Sequence, residues 1–149
     1  MKMQFKGVFD VAAPRERVYA TMTDPNQVAK CMPGVRRLEV KSPDEFDAVV
    51  NVGISFIRGD FALQFRWVEK TPVEGVKLAA HGTGLGSAID MEIIAKMSAS
   101  GRGGTTMDWT VDAKISGKLA SLGQRLIESQ AEKIIKQLFD CLRQRLESP

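Results

Sequence analysis

From Leu119 to Leu146 the chain places an apolar residue at every third or fourth position. Leu122, Leu126, Ile134, Leu138, Leu142 and Leu146 form one i+4 ridge, interrupted only at Gln130. Leu119, Ile127, Ala131, Ile135 and Phe139 form a second ridge beside it, and charged or amide side chains fill the remaining positions. This is the period of a long helix with one buried face. Each i+4 step falls about 40° short of a closed rotation, so the apolar stripe winds around the axis. A winding stripe suits a helix lying across a twisted sheet better than one in a straight two-helix seam. Helical throughout, the run would be about 42 Å long, and the rest of the chain must supply the surface that covers it.

The preceding residues supply strands. Met3, Phe5, Gly7, Phe9 and Val11 alternate with polar neighbours, and Ala12-Ala13-Pro14 stops that segment. Pro14 suits the start of a short helix carrying Val18, Tyr19 and Met22 on one face, and Asp24-Pro25 caps a second short helix through Lys30. Cys31-Met32-Pro33-Gly34 is a turn. Alternation then resumes over Val35–Lys41 and over Phe46–Phe56, with a turn or bulge near Arg58-Gly59-Asp60. It continues over Phe61–Trp67, Val76–Ala80, Ile89–Met97 and Met107–Ile115. About seven strands in a hairpin meander, two short helices after the first and one long terminal helix make a single α+β domain over residues 1–149, a curved antiparallel sheet gripping a helix.

The inward face is rich in large, flat or deformable groups: Phe56, Phe61, Phe65, Trp67, Met91, Met97, Met107 and Trp109. Such side chains fill cores and also line apolar ligand pockets. A strongly curved sheet and a straight helix cannot touch everywhere, so the space between them is either packed or left for a ligand. Gly82, Gly84 and Gly86 share one face and permit sharp curvature or close approach. They do not open a helix, which excludes a phosphate cradle. Gly123 within the helical run suggests a packing reason, such as a strand or ligand approaching near Leu122 and Leu126. Gln130 either bonds to backbone or water, or donates to a carbonyl of a mainly apolar ligand.

Other function classes find little support. A formal charge of +3 with interleaved acids and no basic, aromatic-rich run argues against nucleic acid. No apolar run approaches the roughly 20 residues of a membrane span and no signal peptide opens the chain, which points to the cytoplasm. Cys31 and Cys141 lack a CxxC spacing and read as free thiols in a reducing compartment. With one histidine, His81, at an outward strand position, no transition-metal cluster is suggested. Asp90, Glu92, Asp108 and Asp112 also alternate outward, so neither a nucleophile–base pair nor paired buried carboxylates emerge. The pattern is that of a binder, with no catalytic residue, metal or resident cofactor.

Several segments together resemble the CoxG family, named for the CoxG component of carbon monoxide dehydrogenase. They are Gly7, Ala13-Pro14 with Val18-Tyr19, Asp24-Pro25, Cys31-Met32-Pro33-Gly34, Gly53, Gly59, Gly82-Thr83-Gly84, Gly104-Thr105, Gly117-Lys118-Leu119-Ala120 and Leu122-Gly123-Gln124-Arg125-Leu126. The wider group is the START/Bet v1-like helix-grip superfamily. The resemblance implies a hydrophobic cavity between sheet and helix, and a role beside a molybdenum hydroxylase such as carbon monoxide dehydrogenase. Members are linked to docking that enzyme at the membrane and to carrying a quinone that accepts its electrons.

The expected ligand contacts are Met22, Met32 and Pro33 on the lid side, Phe56, Phe61, Phe65, Met91, Met107 and Trp109 on the sheet, and Leu122, Leu126 and Gln130 on the helix. The expected function is therefore a non-enzymatic carrier of a quinone or lipid-like molecule, acting as a monomer or homodimer. Arg36, Arg37, Arg125, Lys133 and Lys136 would give at most peripheral contact with an anionic membrane face. Two alternatives stand beside it: a polyketide cyclase or dehydratase-like enzyme with an acid or base in the cavity, and an assembly or membrane-recruitment factor with a filled core.

Overall fold

Each alternating segment forms a strand, and every strand pairs antiparallel with its neighbours in a seven-stranded sheet. The computed structural model describes residues 1–148. In chain order the elements are β1 (Lys2–Val11), α1 (Arg15–Met22), α2 (Pro25–Ala29), β2 (Val35–Ser42), β3 (Glu45–Ile54), β4 (Ile57–Thr71), β5 (Gly75–Gly84), β6 (Ser87–Ser100), β7 (Gly104–Gly117) and α3 (Gln124–Glu147). The sheet order β1-β7-β6-β5-β4-β3-β2 is a meander from β2 to β7 closed by β1, which lies beside β7. The short helices carry the chain from one sheet edge to the other, and α3 returns over the same face.

Register decides which side chains meet. Phe9 pairs with Met107, Gly7 with Trp109 and Phe5 with Val111. Met97 pairs with Met107 and Ile93 with Val111, Leu78 with Ile93 and Ala80 with Met91. Phe65 pairs with Ala80 and Trp67 with Leu78, and Phe46 with Phe65. All of these share the concave face, as alternation requires. Gly82 lies there too, and a Cβ on it would come within 2.5 Å of the Phe61 ring and of Leu63 Cδ2. The close approach expected of this glycine is therefore made by Phe61. Gly82→Val should cost about 2 kcal/mol through overpacking, readable as a lower urea midpoint with unchanged m-value.

Two clusters of buried residues seal the ends of the helix–sheet space. One joins Phe9, Val11, Val18, Met97 and Met107 to Leu142 and Leu146 near the end of α3. The other joins Met3, Ile57, Phe61, Ile115 and Leu119 to Ile127 near its start. From Ile127 to Leu146 the inward direction rotates by about 100°, so the stripe winds as its period implies. Tyr19 packs against the first cluster, and burial raises its phenol above the ordinary 10.0. A proton held more tightly in the folded state gives stability that is complete below pH 10.0 and lost as pH rises through the folded pKa. Tyr19→Phe should therefore flatten part of the alkaline decline in thermal midpoint.

Several expectations need correction. The terminal helix is not continuous from Leu119: a 3-10 turn at Ala120–Leu122 is followed by Gly123 at φ +90, and α3 starts only at Gln124. Its 24 residues span about 36 Å. Nothing lies within 4 Å of a Cβ built on Gly123, so glycine is there for its left-handed backbone and not to admit a neighbour. The β3–β4 turn is Ser55-Phe56, with Ser55 at φ +56. The turn or bulge expected near Arg58-Gly59-Asp60 is neither: these residues lie within β4 in unbroken register with β3. Phe56 consequently leaves the concave face and is 80% exposed at the hairpin tip.

The cysteines are not free. Cys31 and Cys141, 110 residues apart in sequence, form a disulfide across a Cα–Cα distance of 5.5 Å. The chain reversal through α1 and α2 brings the turn before β2 onto the last third of α3, a juxtaposition that spacing alone does not reveal.

Candidate functional site

Between the two sealed ends, the side chains that face each other are only half-covered. On α3 these are Gln130, Ala131, Ile134 and Ile135, and on the sheet Phe65, Trp67, Met91, Ile93 and Val111, while Leu138 and Trp109 are partly buried against the cluster at the end of α3 and Leu63 against the one at its start. Apolar side chains on facing elements that stay partly exposed mark a middle less closely covered than the two ends.

The space has aromatic sides and a low floor. On β3 and β4, Phe46 and Phe65 stack with centroids 4.6 Å apart, and Trp67 tilts against Phe46 at 6.1 Å. On the other side Trp109 meets Phe139 at 5.4 Å, and Phe139 stacks on Phe9 at 4.7 Å. Strands β4 and β7 are three strand spacings apart, about 14 Å. Leu78 and Ala80 of β5 and Met91 and Ile93 of β6 lie between them. The frame has aromatic faces at the sides and a small alanine and deformable methionine beneath.

The register puts apolar residues and glycine on the concave face, together with Thr105, Ser87 and, past the bulge in β4, Lys70, which pairs with Val76 and whose Nζ lies 5.9 Å from the Trp67 ring centroid. Thr105 is fully buried, with its hydroxyl donating to the Ala13 carbonyl at 2.7 Å. His81 and Asp90 lie on the opposite face, their Nδ1 and Oδ1 2.7 Å apart and both side chains more than half exposed. They border a cleft of about 480 Å³ on the outer side of the sheet with Lys41, Asp47 and Arg66, to which Phe65, Ala80 and Met91 also contribute. There, hydrogen bonding from Lys41 to Asp47 raises the lysine's pKa. Among the described residues no group of three or more His, Cys, Asp or Glu side chains is placed to hold a metal ion. No helix among them is long and apolar enough to cross a membrane.

The expected ligand contacts separate into groups. Phe65, Met91 and Trp109 border this middle, and Gln130 lies half-buried on the flank of α3 beside it. Phe61 and Met107 are packed into the two end clusters, and Leu122 lies against the one at the start of α3. Met22 and Met32 are half-buried on the α1–α2 side, and Pro33 is exposed. Phe56, at the hairpin tip, is remote from the concave face. Leu126 is 41% exposed, because the winding stripe presents Ile127 inward at this end and turns Leu126 about 100° away. Absent from the expected contacts are Phe46, Leu78, Ala80 and Ile93. Alternation marks each as inward, but only cross-strand register puts them beside Phe65 and Met91.

This architecture is the helix-grip fold of START/Bet v1-like proteins. The model of the carbon monoxide dehydrogenase CoxG family matches residues 7–147, and the chain belongs to that family. Among solved structures it is similar to a conserved protein from Geobacillus kaustophilus, at 23% identity and TM-score 0.90 over 97% of this chain and 95% of that one. A START superfamily protein from Mycobacterium smegmatis aligns at 12% identity and TM-score 0.73, covering 97% of each chain. The ZhuI aromatase/cyclase from Streptomyces sp. R1128 aligns at 13% identity and TM-score 0.73 over 99% of this chain and 94% of that one. At these identities the likeness is one of fold. A comparison with curated proteins finds no match.

Proposed function

We propose that this chain is a non-enzymatic carrier of an apolar, ring-bearing small molecule, a quinone or lipid-like compound, held between the concave face and the middle of α3. The observation that carries the reading is the half-covered apolar middle between two sealed ends, with aromatic sides about 14 Å apart. A carrier needs apolar burial and one or two orienting polar groups, and Gln130, half-buried on the flank of α3, would supply one to a ligand carbonyl. The cyclase alternative requires an acid or base on the inner surface; the inward strand positions supply no acid and one ionisable group, Lys70, which is engaged by Asp44 and the Pro43 carbonyl. The family's name supports a molybdenum hydroxylase such as carbon monoxide dehydrogenase as the enzyme the carrier serves. Work in the cytoplasm, with exposed cations such as Arg125 and Lys133 giving passing contact with an anionic membrane face, fits that role.

Native mass spectrometry and organic extraction of freshly purified protein test this directly. One lipid-like passenger per chain, or stoichiometric uptake of an added quinone, is expected. Protein that is repeatedly empty and ignores added quinones would count decisively against it.

A further inference from the structure

The segment between α1 and β2 is held to the rest of the protein in an unusual way. Between Val18 and Phe46 the one buried residue is Cys31, at 6% exposure. Helix α2 has no buried residue. The hydrogen bonds of this stretch are internal: Asp24 Oδ1 accepts from the Asn26 amide, and the Gln27, Val28, Cys31 and Met32 amides donate to carbonyls at Asp24, Val28 and Ala29. Tertiary hydrogen bonding resumes at Gly34, whose carbonyl accepts from the Asn51 amide. The buried attachment of α2 and the following turn to α3 is thus Cys31 alone, through its bond to Cys141 and its place in the cluster with Val18 and Leu142.

We propose that this disulfide is a redox-operated clasp on the sealed end of the ligand space near Leu142 and Leu146. The bond fastens Met32 and Pro33, next in sequence to Cys31, against the last third of α3. A dithiol reductant would open it by exchange: two electrons and two protons pass from the dithiol, leaving the Cys31 and Cys141 thiols and the reductant's own disulfide. The α2 segment then keeps only half-buried contacts beyond Cys31 itself and opens locally, withdrawing Cys31 from the cluster at the end of α3 while Phe9, Val18, Met107, Leu142 and Leu146 stay together, because a segment's local stability follows its buried contacts. Closed, the clasp retains a bound molecule; open, it lets one exchange. The consequence for ligand exchange rests on the carrier reading, whereas the clasp's mechanics do not.

Limited trypsin digestion of the full chain, before and after dithiothreitol, tests the mechanics. Lys30 is exposed beside the clasp, and Arg102, exposed in the β6–β7 turn, serves as internal control. Reduction should raise cleavage after Lys30 relative to Arg102 on the order of tenfold. Cys141→Ser should reproduce this without reductant, and reoxidation of the wild type should reverse it. An unchanged ratio on reduction overturns the clasp, as do two thiols that stay free after mild oxidation. Should the variant fail to fold, the wild-type reduction still decides. The association rate of anilinonaphthalene sulfonate, measured in parallel, should rise on reduction by a similar factor. Equal rates in the two forms overturn the gating role. A dye that enters neither form refutes the carrier reading instead, and the cleavage ratio then decides the clasp alone.

Discussion

Reduction of the Cys31–Cys141 bond is expected to lower the free energy of unfolding by about 3–5 kcal/mol, the largest stability change available from any single bond in this chain. The bond closes a loop of 110 residues, so its loss restores much conformational freedom to the unfolded chain. The folded side of the balance changes less. Phe9, Val18, Met107, Leu142 and Leu146 remain mutually buried without the bond, and the sheet ladder is untouched. Urea denaturation with and without dithiothreitol measures the difference as a shift in midpoint, with the reduced protein still folding cooperatively. A shift below about 1 kcal/mol would mean that the unfolded chain already holds the two cysteines together or that the native bond is strained.

The second large effect concerns the middle of α3. Ala131 faces the sheet between the sealed ends and is only half-buried. Ala131→Phe should lower the affinity for an apolar ligand by about 10- to 100-fold, corresponding to roughly 1.4–2.8 kcal/mol, because the ring takes the space the ligand needs. Stability should hold steady or rise, since the new side chain covers apolar surface that water now reaches. A packed interior would respond in the opposite way, losing about 1–3 kcal/mol to overpacking. Thermal melting and ligand titration of the same variant therefore separate an open grip from a filled one.

Much of the architecture is legible in the sequence because period and chirality leave few choices. Seven alternating runs, Pro14 and Asp24 at helix starts and an i+4 ridge that winds are local signals, and each produced its element. The boundaries that misled were also local. Gly59 reads as a turn, yet it stays within β4 where Leu85 packs over it; the actual turn uses Ser55 in a left-handed conformation, for which serine carries no strong signal. Leu126 reads as inward if the ridge is followed as a straight line, but the rotation that suits the helix to a twisted sheet brings Ile127 in and leaves Leu126 out.

The site was less legible than the fold because it depends on pairing. Nothing local tells that Ala80 lies between Phe65 and Met91 or that Trp109 lies against Gly7; the antiparallel register does. The disulfide depends on still more distant relations, since Cys31 and Cys141 meet only after the chain has crossed the sheet twice. Residue type did carry the chemistry. Phenylalanine, methionine and tryptophan at inward positions, with acids and the single histidine outward, describe an apolar grip before any coordinates are known.

Both tryptophans of the chain, Trp67 and Trp109, border the middle of the grip, so their fluorescence reports directly on its contents. Titration with a short-chain quinone should quench that fluorescence saturably at one molecule per chain, and Ala131→Phe should abolish the saturable phase. Quenching that grows linearly with quinone and is unaffected by Ala131→Phe would show that no molecule enters between helix and sheet.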